Sequence, residues 1–253
     1  MIARRNRAEL EKMRRAGVAL HHVLRQVVAK VAAGVSTWEL EEVADRAMRE
    51  RNATSAFRGY HGYPCVLCVS VNEQVIHGIP SRKRVLSEGD VVSLDCGVVV
   101  GGYYADHAVT VVVGGRDKAP PPVRHLLEVA EQALAEAIDQ ARVGRRLGDI
   151  SQAVQKRAEG AGFSVVREFV GHGIGTHLHE DPQVPNFGDA GSGPKLRAGM
   201  VLAIEPMINQ GAPEVRVLPD GWTAVTCDGA ASVHVEHTVA VTDDGPWVLT
   251  GAE

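Results

Sequence analysis

The residues best suited to chemistry come in two matched sets. His77-Gly78-Ile79 recurs as His172-Gly173-Ile174, and Leu86-x-x-Gly89-x-Val91-Val92-x-Leu94-Asp95 recurs as Leu196-x-x-Gly199-x-Val201-Leu202-x-Ile204-Glu205. Asp106-His107-x-Val109-x-Val111 recurs as Glu236-His237-x-Val239-x-Val241. Each half thus supplies one imidazole and two carboxylates in the same order. Chance accounts for any one match, since glycine and valine are common in strands, but poorly for three in register order. Packing needs only the apolar pattern and leaves unexplained why every acid stays an acid. Four carboxylates brought together repel one another unless a cation compensates them, so the duplication predicts a shared metal centre. Carboxylate oxygens with one or two imidazoles suit Mn, Fe, Co or Zn in a two-metal arrangement better than a thiolate-rich zinc site. Its natural chemistry is hydrolysis, with paired cations acidifying a water and stabilising a tetrahedral intermediate.

The elements that must position these groups follow from the same string. Val91 to Val100 and Tyr103 to Val113 read as two strands joined by Gly101-Gly102, a pair that favours a tight two-residue turn. That turn pairs Val100 with Tyr103 and sets Asp106 opposite Gly97, so Asp95 and Asp106 share one face as diagonal neighbours roughly 7–8 Å apart. Gly97 is expected to leave the space between them open. Glu205 and Glu236, from separate strands of the second half, should face the same centre. His107 and His237 follow acids and should point to the opposite face as supporting or core histidines.

Helical spacing of apolar residues predicts a helix over residues 8 to 31, then a second capped by Ser36 or Thr37 and running to about Glu50 or Arg51. The arginines of the opening (Arg4, Arg5, Arg7, Arg14, Arg15) read as a solvated helix face. Strands follow from Val66. Pro120-Pro121-Pro122 reads as a stiff surface connection, followed by helices from about Val123 to Ala141 and Asp149 to Ala161, then strands to near Leu249. Helices before strands in both halves predict an α+β fold with antiparallel sheets, outer helices and a pseudo-twofold axis.

With 253 residues, 45% of them hydrophobic, the chain can bury a large core as one domain, residues 1–253, made of halves at about 1–117 and 118–253. A net charge of -4 argues against nucleic acid as a main partner. No apolar run approaches a membrane span or a signal peptide, and four scattered cysteines are expected to be reduced thiols, which together predict a cytoplasmic protein. Cys65-x-x-Cys68 has zinc spacing but lacks a second ligand pair.

Several strings, in order, carry a resemblance. Gly59-Tyr60-His61-Gly62-Tyr63-Pro64, Val69-Ser70-Val71-Asn72-Glu73 before His77-Gly78-Ile79-Pro80, and the Asp95/Asp106 hairpin are similar to the methionine aminopeptidases. So are Gly171-His172-Gly173-Ile174-Gly175, His179-Glu180-x-Pro182, Ile204-Glu205-Pro206-Met207 and Glu236-His237-Thr238. The resemblance spans nearly the whole chain and is nearest to the short bacterial type I form.

It implies the pita-bread (creatinase/aminopeptidase) fold and removal of the initiator methionine from nascent proteins and peptides whose second residue is small. Carried over, Asp95, Asp106, His172, Glu205 and Glu236 would ligate two divalent ions (Co, Mn, Fe or Zn), with Asp106 and Glu236 bridging. Glu205 would also serve as general base for the metal-activated water that attacks the scissile carbonyl. His179 would contact the scissile amide, and His77 would lie beside the substrate backbone or leaving amine. Spacing alone does not choose between His177 and His179. Tyr60, Tyr63, Cys68 and Trp222 would wall the methionine pocket, which suits a thioether; without the resemblance they read as core. The implied partners are nascent N-termini, without a membrane, for a monomer; ribosome association is a further expectation to which Arg4, Arg5 and Arg7 could contribute. Leu178, where an aromatic is common, and His107, where a small hydroxyl residue is usual, depart from the family pattern. The competing readings are an X-Pro peptidase of the same fold, disfavoured because such enzymes usually carry an extra N-terminal domain, and a binding module that has lost catalysis.

Overall fold

Each helix pair starts where the local chemistry allows it. In the computed structural model, which describes residues 2–252, helix α1 (Arg7–Lys30) is capped by Asn6 and Glu9 in a reciprocal capping box. Helix α2 (Thr37–Glu50) is capped in the same way by Ser36 and Glu39. Ser36 is therefore the cap, while the Thr37 hydroxyl donates to the Ser81 carbonyl at 3.1 Å. Helix α3 (Pro121–Gln140) corrects the reading of the proline run as a separate connection, because Pro121 and Pro122 form its first turn. Proline is preset for that position, where its missing N–H would have no helical partner anyway. Helix α4 (Leu147–Gly160) completes the second pair. Among the described residues no helix is long and apolar enough to cross a membrane.

The two halves repeat their architecture to the level of single hydrogen bonds. In the first, Gly34 N–H donates to Leu86 O, Leu86 N–H to Val35 O and Thr37 N–H to Arg84 O. In the second, Gly144 N–H donates to Leu196 O, Leu196 N–H to Arg145 O and Leu147 N–H to Pro194 O. Leucines 86 and 196, matched in the sequence repeat, thus hold the helix-pair loop in each half.

One nine-stranded antiparallel sheet runs through both halves. Its centre is the junction of Tyr103–Val112 with Glu236–Thr242, where Glu236 pairs with Ala108 and His237 with His107. Outward in the first half lie Val91–Val100 and Leu67–Val71, and in the second Val201–Ile204, Gly171–Gly173 and Glu180–Val184. Helices α1 and α2 cover the first half, burying Leu20, Leu24 and Leu40 against Val69, Val92 and Leu94. Helices α3 and α4 cover the second, burying Leu126, Leu127 and Ile150 against Leu202, Ile204 and Val239.

Of the expected solvated arginine face, Arg4, Arg7 and Arg15 are exposed while Arg5 and Arg14 are half-buried, and Arg4 and Arg5 precede the helix. The Arg4 Nε donates to the Ala198 carbonyl at 2.8 Å, and Arg5, 13% exposed in its side chain, pairs with Glu180. Arg14 donates to the carbonyls of Leu249, Gly251 and Ala252. Helical spacing carries no information on partners arriving from the other half, here the Ala198 carbonyl, the Glu180 carboxylate and the carbonyls of the C-terminal segment.

Glu41 is the buried anchor between α2 and the sheet. Only 2% exposed, its carboxylate accepts the N–H groups of Val66 and Leu67, which open the strand carrying Cys68. Glu41→Ala leaves both donors buried and unpaired, and is expected to lower stability by about 3 kcal/mol in urea unfolding. Unfolding at the wild-type midpoint would show that the strand entry does not depend on this carboxylate.

Candidate functional site

The hairpin forms in the register set by Gly101-Gly102, with Val100 opposite Tyr103, Gly97 opposite Asp106 and Asp95 opposite Ala108. Ala108 also faces Glu236 across the next ladder, so Asp95, Ala108 and Glu236 lie in one row over three strands. The space at Gly97 is not open, however. A Cβ there would meet the Phe57 ring at 2.6 Å and the Ala56 Cβ at 3.0 Å, so the glycine admits Phe57 against the sheet.

The second half brings the remaining groups. His172 pairs with Ala203, two residues before Glu205, and its Nε2 lies 3.6 Å from Glu205 Oε1 and 3.9 Å from Asp106 Oδ2. One ligand atom each from Asp106, His172 and Glu236 falls within 4.8 Å of the others. Asp95 Oδ1 and Glu236 Oε1 are buried without a hydrogen-bond partner. Orphaned carboxylate oxygens beside an uncharged imidazole are the donor set a divalent cation requires, so these residues fit a metal.

Electrostatics points the same way. Burial raises Glu205 to about 8 and, joined by the charge of Glu205, raises Asp95 to about 7. Burial and the neighbouring carboxylates push Asp106 and Glu236 well above the usual carboxylate range. Burial, with His179 nearby, lowers His172 to about 3, leaving a neutral nitrogen donor. Like charges in a dry site favour the protonated acids, and a cation would favour the ionised ones.

All eleven residues singled out from sequence line one cavity of about 370 Å³. The carboxylates and His172 form its floor. Cys68, in register with Asp95, and Tyr63, whose hydroxyl donates to the carbonyls of Leu67 and Gly78 at 3.1 Å, form one wall. Trp222 packs edge-on against Tyr63 and His77, with centroids 5.1 and 6.2 Å away. His77 holds a left-handed backbone, φ 58°, and burial lowers its pKa to about 4. At the mouth, Tyr60 Oη lies 2.7 Å from His179 Nδ1, and the His179 ring is 4.2 Å from that of His172. Leu178 lines the cavity and is 3% exposed.

His177 and His179 part company because residues 176–179 form a bend rather than a strand, so strand parity has no hold there. His177 is 80% exposed in its side chain and lies outside the cavity lining. His107 and His237 take the opposite face, stacked at 4.4 Å, with His107 Nδ1 on the Glu236 carbonyl and His237 Nδ1 2.8 Å from the Thr250 hydroxyl. Sequence reasoning missed Phe57, His61 and His234. The buried His234 places Nε2 3.6 Å from Glu205 Oε2. It precedes Glu236 by two residues, the same-side spacing of an extended chain, so a signal existed; for Phe57 there was none.

Residues 11–243 match metallopeptidase family M24. The chain is 48% identical over 250 residues to the methionine aminopeptidase of Clostridium perfringens, covering 99% of both, and 46% identical to methionine aminopeptidase 1 of Bacillus subtilis, again covering 99% of both. Its structure is similar to that of a Thermotoga maritima methionine aminopeptidase, with a TM-score of 0.97 at 44% identity over the whole of both chains. A Pyrococcus furiosus prolidase shares the fold at 22% identity and a TM-score of 0.78 over 66% of its chain. The duplicated acids, the sheet that unites them and the near full-length identity converge on one assignment: the chain belongs to metallopeptidase family M24, among its methionine aminopeptidases, enzymes of pita-bread fold.

Proposed function

We propose that this enzyme removes the N-terminal methionine from nascent proteins and peptides whose second residue is small, with Asp95, Asp106, His172, Glu205 and Glu236 holding two divalent ions drawn from Co, Mn, Fe or Zn. Asp106 and Glu236 would be the ligands shared by both ions. The observation that carries the reading is the set of buried, mutually repelling carboxylates on the floor of a cavity walled by aromatic rings, a thiol and Leu178. When bound, the paired ions supply Lewis acidity, acidifying a water and polarising the scissile carbonyl.

The chain's own groups do the rest. Glu205 takes the proton of the attacking water. Tyr60, a phenol with its pKa raised by burial, donates to His179 Nδ1, which leaves Nε2–H to donate to the scissile amide and to the oxyanion that forms. His77 stands beside the substrate backbone or the leaving amine. Tyr60, Tyr63, Cys68 and Trp222 receive the methionine side chain, whose thioether packs against rings and sulfur. We place the reaction in the cytoplasm, because the four cysteines are unpaired and the substrate is a nascent chain, and take the enzyme to act as a monomer. For ribosome association we look to Arg4 and Arg7, both exposed, rather than to Arg5, which is engaged with Glu180.

The direct test incubates the metal-stripped protein with Met-Gly-Met and X-Pro peptides, with and without Mn or Co, and identifies the released residue by mass. Metal-dependent release of methionine alone is expected; cleavage before proline, or activity unchanged by chelation, would refute the reading. Among variants, Glu236→Ala should lose metal and activity together, whereas His179→Ala should keep its metal and lose about 10²–10³-fold in kcat. A folded Glu236→Ala protein with normal turnover would remove the two-metal mechanism.

Metal and protons should compete. In the metal-free fold Asp95 and Glu205 keep protons up to about 7 and about 8, whereas in the unfolded chain they lose them near ~4. Between those limits the folded state binds more protons, so these groups make metal-free stability fall as pH rises through that window. Mn binding at neutral pH should therefore release protons, and its effect on the unfolding midpoint should be larger at about pH 8 than at about pH 6. An equal shift at both, with no proton release, would contradict the assignment.

A further inference from the structure

The bend that carries Leu178 and His179 into the cavity is built around one carboxylate outside the site. Glu180 Oε1 accepts the N–H groups of Thr176 at 2.8 Å and His177 at 3.1 Å, closing a ring around the two residues that line the cavity. Glu180 is itself held by Arg5, whose Nη2 donates to both of its oxygens at 2.6 Å, each side chain being 13% exposed. The guanidinium seats over Gly175, where a Cβ would meet Nη2 at 2.2 Å.

The arm bearing Arg5 is fixed at a second point. Arg5 N–H donates to the Gly199 carbonyl at 2.6 Å and Arg4 Nε to Ala198, on the turn that opens the strand leading to Glu205. Residues 4 and 5 therefore tie the His179 bend to the Glu205 strand, two elements of the second half, from the opposite end of the chain. Without the guanidinium, the Glu180 carboxylate would stay buried and uncompensated. Turning it to water would release the two amides it holds.

We propose that Arg5 is a positioning residue for the reaction, holding His179 and Leu178 at the cavity through Glu180. This rests on the role given above to His179, and the test separates the two. In the full-length, metal-loaded enzyme, amide hydrogen exchange over residues 174–180 is measured for Arg5→Ala and Arg5→Lys, with Arg15→Ala as the exposed control. Kinetics with Met-Gly-Met is then run on these and on Arg5→Ala combined with His179→Ala. Arg5→Ala should speed exchange at Thr176 and His177 and lower kcat on the order of tenfold with metal content unchanged. Arg5→Lys, which keeps the charge without the planar fork, should recover part of both, and Arg15→Ala should match wild type. In the His179→Ala background Arg5→Ala should cost little more.

Unchanged exchange at Thr176 and His177, or a kcat loss that multiplies in full on His179→Ala, would overturn the proposal. If His179→Ala alone turned over normally, the role of His179 would fall, and the exchange result would still decide whether Arg5 holds the bend. Should Arg5→Ala fail to fold, Arg5→Lys carries the same comparisons.

Discussion

The structure depends on holding four carboxylates together where the protein leaves them little contact with water. Desolvating a carboxylate costs several kcal/mol, and its neighbours add repulsion, so the surrounding backbone must leave the acids no route apart. That backbone is the ladder across the junction of the halves. Behind Asp106, its N–H donates to the Thr238 hydroxyl at 3.0 Å and the same hydroxyl donates to its carbonyl at 2.7 Å. Behind Glu236, His107 takes the carbonyl, and the Thr110 hydroxyl donates to His234 O at 2.6 Å. Each half thereby fixes the acids of the other, which explains why the sheet runs unbroken through the middle of the molecule.

Duplication supplied the scaffold, and divergence supplied the asymmetry that catalysis needs. The matched leucines still close the helix-pair loops in both halves, and the matched acids keep their strands, Asp95 within Val91–Val100 and Glu205 directly after Val201–Ile204. The two histidines no longer do the same thing. His172 sits in a strand within reach of two carboxylates, while His77, on a left-handed residue beyond its strand, turns edge-on to Trp222 and Phe169. A symmetric site would bind its ligand equally in two directions; displacing one imidazole from the acids gives the cavity a single orientation.

What could be read from sequence was whatever short-range geometry dictates. Gly101-Gly102 fixes a turn, the turn fixes a register, and period-two alternation then fixes which side chains share a face, so the Asp95–Asp106 arrangement was legible to the residue. Helix caps at Ser36 and the proline start of α3 are equally local, although a proline run by itself reads equally as a connection. Groups placed by distant packing were not legible: Phe57 filling the notch at Gly97, Arg5 reaching Glu180, Arg14 gathering the carbonyls of the C-terminal segment. His234 lay between these cases, its spacing from Glu236 visible but its nearness to Glu205 set by the opposite strand. The choice between His177 and His179 failed on periodicity because the chain bends there, and only the motif as a whole distinguished them.

The cavity divides its work between two kinds of backbone. The acids lie on or directly beside sheet strands, where ladder hydrogen bonds hold their positions. Apart from Cys68, on the strand Leu67–Val71, the residues proposed to meet the substrate lie on connections: Tyr60 between the left-handed Gly59 and His61, His179 and Leu178 on the 176–179 bend, Trp222 on a turn closed by Asp220, which accepts from the N–H groups of Trp222 and Thr223 at 2.9 Å. Loops accept substitution where ladders do not. Leu178 stands on the bend, so a different side chain there would alter the wall of the cavity while leaving every acid in register, and the shape presented can change without disturbing the charge-compensated floor. The floor, in turn, can be no more accurate than the ladder between two halves, and it is at that junction, rather than in the loops, that the fold is least free to vary.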